Sequence, residues 1–102
     1  MTKFYTNAVG KVAKNFTFEF QGDIITSFVA ETAEPHFAEE FAILGEAIRG
    51  KKVDKVLDKL YKSIFKVEEP AYSPDYQLAK ALLDFKREAP EFFKREDRIR
   101  LY

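Results

Sequence analysis

Residues 35–66 constrain this chain more than any other stretch, because two amphipathic helical patterns follow each other there with only Arg49-Gly50-Lys51 between them. In the first, Phe37, Phe41, Leu44 and Ile48 fall at i, i+4, i+7 and i+11, one face of a helix with 3.6 residues per turn. Ala38, Ala42 and Ala47 widen that face. Pro35 suits a first helical position, where its missing N–H has no partner to lose. Glu39 and Glu40 are expected in the first turn, where carboxylates meet the positive end of the helix dipole. Gly50 is a natural stop. Gly45, inside the pattern, costs about 1 kcal/mol relative to alanine, which a close helix crossing would explain. The spacing predicts a helix over residues 35–49.

The second pattern is stronger. Val53, Val56, Leu57, Leu60, Tyr61, Ile64 and Phe65 keep helical spacing, and Lys52, Lys55, Lys59 and Lys62 occupy the opposite face. Asp58 and Lys62 form a favourable i, i+4 pair. A helix over residues 52–66 is predicted. With so short a connection, the two helices are expected to lie against each other as a hairpin. Their charges oppose. Residues 31–48 hold five Glu and no Lys or Arg, formally −5; residues 49–66 hold seven Lys/Arg and two Asp, formally +5. Either the helices attract each other, or each offers one sign to a different partner.

Before this pair, Phe16, Phe18 and Phe20 alternate with Thr17, Glu19 and Gln21, the signature of a strand with one buried face. Gln21-Gly22-Asp23 is turn chemistry. Ile24 to Ala30 reads as the returning strand. A β-hairpin over residues 15–30 follows, and its Phe face needs a partner layer, because a lone hairpin is marginal in water. The two helices are the natural candidate. Phe4 and Tyr5 are consistent with an earlier short strand, and Asn7 to Lys11 with a turn.

After the pair, Pro70 and Pro74 mark a loop. Ser73-Pro74 is an N-cap followed by proline at the first helical position. Leu78, Leu82 and Phe85, with Ala79 and Ala81, predict a third helix over residues 74–88, ending before Pro90. Residues 90–102 form a short C-terminal element, a candidate docking tail. The expected fold is therefore α+β: an antiparallel hairpin packed on three amphipathic helices.

The 102 residues suit one domain, long enough for a single core. Eleven Phe and five Tyr with no Trp point to a core of large rings or to rings left on a surface. Without cysteine, disulfides and thiolate metal sites are excluded. No secretory signal and no run approaching 18 apolar residues occurs, so a cytoplasmic protein that does not enter membranes is expected. A formal net charge of zero argues against a general nucleic-acid or membrane binder, while leaving room for a local patch.

Signatures of chemistry are lacking. His36, with Glu39 and Glu40, has spacing able to hold a metal but lacks further ligands. Ser27, Ser63 and Ser73 sit in no nucleophile elbow. The glycines are scattered and form no phosphate loop. The expectation is a non-enzymatic protein without metal or cofactor.

Two binding signals remain. The C-terminal stretch interleaves Phe92, Phe93 and Tyr102 with Lys94, Arg95, Arg98 and Arg100. Residues 84–102 net only a formal +1, which favours a protein interface over nucleic acid. Phe92, Phe93, Arg95, Arg98, Arg100 and Tyr102 are thus the candidate partner-binding residues. The second signal is the stripe Lys52, Lys55, Lys59 and Lys62, which suits a phosphate backbone, although base-reading Arg, Asn or Gln are missing from that helix. The sequence favours a small protein-binding module that acts as an adaptor, an inhibitor or an assembly factor, of the kind phage and mobile elements carry. Self-association is compatible with such surfaces. A nucleic-acid-binding accessory protein using the lysine stripe and the basic-aromatic tail is the alternative.

Overall fold

The computed structural model describes residues 2–7, 10–64 and 67–88. They form an α+β arrangement: a three-stranded antiparallel sheet followed by three helices. The strands are β1 (Thr2–Asn7), β2 (Asn15–Gln21) and β3 (Ile24–Glu31), in spatial order β1-β2-β3. The expected hairpin is β2–β3, and β1 enlarges it to three strands. Phe4, Phe18 and Phe28 stand in one cross-strand row, with ring centroids 6.3 and 4.8 Å apart. This row is the centre of the buried face.

A bulge explains how β3 uses both parities of its sequence. Glu19 pairs with Ser27 but the next residue, Phe20, pairs with Ile25, leaving Thr26 as the extra residue. Beyond it the side-chain alternation is reset. Ile25 and Phe28 therefore both face the core, although three positions separate them. The other face of the sheet stays wet, with Tyr5, Thr17 and Val29 in one row and Tyr5 and Val29 exposed.

The helices are α1 (Pro35–Ile48), α2 (Val53–Ile64) and α3 (Pro74–Glu88), close to the spans that periodicity predicts. A 3-10 turn at Pro70–Tyr72 precedes α3. Ser73 caps α3 as expected: the amide of Tyr76 donates to its Oγ at 3.2 Å. Gln77, the buried polar residue of that region, donates from Nε2 to the carbonyl of Pro70 at 2.9 Å.

Five expectations are corrected. The first is the helical hairpin. α1 lies on β3, and α2 lies on α3; the backbones of α1 and α2 do not run side by side. The cause is the connection. Arg49 takes an extended conformation, Gly50 has φ +78, and the chain then runs extended along the outer edge of β3. Gly50 N–H donates to the Ile25 carbonyl at 2.7 Å, Ile25 N–H to that of Lys51 at 2.9 Å, and Val53 N–H to that of Asp23 at 2.9 Å. Ile24 and Lys52 form a β-bridge. The sheet edge thus gains partners for its backbone, and α2 is aimed away from α1.

The second correction concerns the layer over the rings. Phe41 of α1 meets Phe16 at 5.1 Å, but α3 also supplies a ring, Phe85, which contacts Phe4 and Phe20. Third, Gly45 faces Phe28 of β3 rather than another helix. Fourth, the first turn of α1 holds no acid, because the helix begins at Pro35 and Glu39 and Glu40 fall in its second turn. Fifth, in α2 Asp58 and Lys62 do not pair; Asp54 instead accepts from Lys86 Nζ of α3 at 2.6 Å.

Candidate functional site

The divergence of α1 and α2 opens a groove of about 430 Å³ between them. Its apolar lining comes from Leu44, Ala47 and Ile48 of α1 and from Val56 and Leu60 of α2. Ile48, Val56 and Leu60 are buried, so the floor is continuous with the core. Lys51, Lys55 and Lys59 form its basic wall, with Ser63 and, from the start of α3, Asp75. All three lysines are exposed. Lys55 and Lys59 are one turn apart on α2, where residues four apart stack on one side of the helix, and Lys51 joins them from the extended segment before it.

The arrangement separates two functions. Apolar side chains supply a surface that gains by excluding water, at about 25 cal/mol per Å² removed. Ammonium groups at the rim select for negative charge and speed encounter. No ion pair links α1 to α2 among the described residues, so the acidic helix leaves the lysine wall uncompensated. Two of the three glutamates of α1 pair locally: Glu40 with His36 of the same helix at 3.2 Å, and Glu46 with Arg49 just past its end at 3.5 Å.

Of the stripe expected from the sequence, Lys55 and Lys59 line the groove. Lys52 sits on the segment bridged to β3, and both Lys52 and Lys62 are exposed outside the groove. The structure thus splits the four lysines between two settings. Lys51 is not part of the expected stripe: it lies before α2, and the pairing of its segment with β3 brings it to the groove. The apolar wall from α1 was not readable as a site, because Leu44 and Ile48 look like ordinary core positions. Phe92, Phe93, Arg95, Arg98, Arg100 and Tyr102 lie outside the described residues, as does Phe65.

His36 is on the exposed start of α1. No group of three or more His, Cys, Asp or Glu is placed to hold a metal among the described residues. No helix there is long and apolar enough to cross a membrane. A second, more polar hollow of about 300 Å³ lies between α1 and β3, at Thr26, Phe28, Ala42 and Glu46. No protein-family model, no curated protein and no solved structure matches the chain.

Proposed function

We propose that the protein acts by binding another protein, and that the α1–α2 groove receives an acidic amphipathic helix. The observation that carries this reading is the juxtaposition of an apolar floor with three lysines along one wall. An amphipathic helix buries its apolar stripe in such a groove, in the manner of helix-in-groove recognition. Carboxylates flanking that stripe meet Lys51, Lys55 and Lys59. A nucleic-acid strand satisfies the lysines but leaves the apolar floor without a partner.

The test is a titration of the labelled protein, followed by amide NMR shifts, with a synthetic helical peptide. The peptide carries Leu at i, i+3, i+4 and i+7 and Glu on both flanks. Saturable shifts at Leu44, Ala47, Lys55, Val56 and Lys59 are expected, weakening with salt as exposed charges are screened. Lys55→Glu with Lys59→Glu weakens binding by at least about tenfold. Absence of saturable shifts overturns the reading. So do shifts along Lys52 and Lys62 with duplex or single-stranded oligonucleotide but none with the peptide.

A further inference from the structure

The most exposed large apolar side chain among the described residues is Ile43, at 71%. It stands on the crest of α1, on the side away from β3. Glu39 is one turn before it and Glu46 one turn after it, both exposed; Glu46 also pairs with Arg49 and borders the hollow between α1 and β3. Ala47, next to Glu46 and one turn after Ile43, is also exposed and lines the groove. An acidic ridge centred on an isoleucine therefore runs directly beside a basic groove with an apolar floor. These are the two halves of a self-complementary surface. We propose that the occupant of the groove is α1 of a second copy of this chain, in a two-fold symmetric dimer.

This proposal rests on the reading of the groove as a docking surface and names its occupant. Adjacent complementary patches are what an isologous interface requires, because each copy offers both and receives both, and the two-fold closes the assembly at two. Ile43 of one copy enters between Val56 and Leu60 of the other, while Glu39 and Glu46 approach the other's Lys55 and Lys59. The spacing fits. Glu39 and Glu46 are two turns apart, about 10 Å along the axis, and Lys55 and Lys59 are one turn apart, about 6 Å. The ammonium groups fall between the carboxylates, within side-chain reach. The same pairing accounts for the charge layout, in which a segment of formal −5 is followed by one of formal +5 and the chain sums to zero. The central isoleucine carries the affinity, and the charged rim fixes the orientation.

The test is sedimentation velocity over a concentration series up to about 1 mM. The wild type shifts from monomer to dimer. Ile43→Asp raises the dimer Kd by at least about 30-fold, and its circular dichroism matches the wild type because the position is exposed. Two charge-reversed chains sharpen the test: Glu39→Lys with Glu46→Lys, and Lys55→Glu with Lys59→Glu. Each alone is monomeric, since its groove and ridge repel. Mixed, they form a heterodimer in which both half-interfaces attract. A wild type that stays monomeric while the acidic peptide still shifts the groove overturns the second copy and leaves the docking reading standing. A monomer that also ignores the peptide overturns both. A dimer indifferent to Ile43→Asp, or reversed chains that fail to associate on mixing, overturns the proposed pairing.

Discussion

Phe20 of β2 and Phe85 of α3 lie face to face, with ring centroids 3.7 Å apart and planes 8° from parallel. Both are fully buried. Phe85 also meets Phe4 of β1 edge-on at 5.5 Å. One side chain thus seats α3 on two strands, and α2 is held on α3. Phe85→Ala removes this seat and leaves a ring-sized cavity. The expected loss is about 3–5 kcal/mol, a large part of the 5–15 kcal/mol typical of a domain. Phe85→Leu, which keeps more of the volume, costs less. Urea unfolding followed by circular dichroism measures both. A loss under about 1 kcal/mol for the alanine variant contradicts the seating of α3 on the rings.

Gly45 predicts the opposite sign. A Cβ built there lies 3.5 Å from a ring carbon of Phe28 and 3.6 Å from its carbonyl oxygen, ordinary contact distances. Alanine gains helix propensity of about 1 kcal/mol over glycine without having to displace the strand. Gly45→Ala is therefore expected to raise the thermal midpoint. A lowered midpoint shows that α1 sits closer to β3 than these distances allow.

Gly10 and Gly50 separate backbone strain from steric clash. Both have positive φ, +66 and +78. Around Gly50 a Cβ meets nothing within 4 Å, whereas at Gly10 it falls 2.6 Å from the carbonyl oxygen of Ala71. That oxygen also accepts from the Lys11 amide at 2.6 Å. Gly50→Ala is expected to cost about 1–2 kcal/mol, the left-handed penalty alone. Gly10→Ala adds the displaced hydrogen bond and reaches about 3 kcal/mol. Equal losses in denaturant unfolding show that the loop at Gly10 yields freely.

Much of this fold is local in origin and was legible in the sequence. The helix spans follow from apolar spacing and from the punctuation at Pro35, Gly50 and Pro74. Ser73 caps α3 because its own hydroxyl reaches an amide three residues on. The Phe16, Phe18 and Phe20 alternation specifies a strand and its buried face wherever the strand goes. Even the groove left a trace, in the one-turn spacing of Lys55 and Lys59. The bulge at Thr26 was not legible: Ile24 to Ala30 alternates imperfectly, and only pairing with β2 shows where the parity resets.

By itself, then, the sequence determined which segments are helix and strand, which of their faces are apolar, and that a negative segment is followed by a positive one. The tertiary structure alone decided which face meets which. The helical pair looked closed from its turn chemistry, yet Gly50, Lys51 and Val53 give their backbone groups to Ile25 of β3 and Asp23 of the β2–β3 turn. Phe85 places α3 over the rings, and the Lys86–Asp54 pair helps hold α2 on α3. The reason is that periodicity records only how much apolar surface a helix must bury. The identity of the covering partner is set by competition among all elements for the same ring-lined floor and the same open strand edge. The groove is what that competition left between α1 and α2.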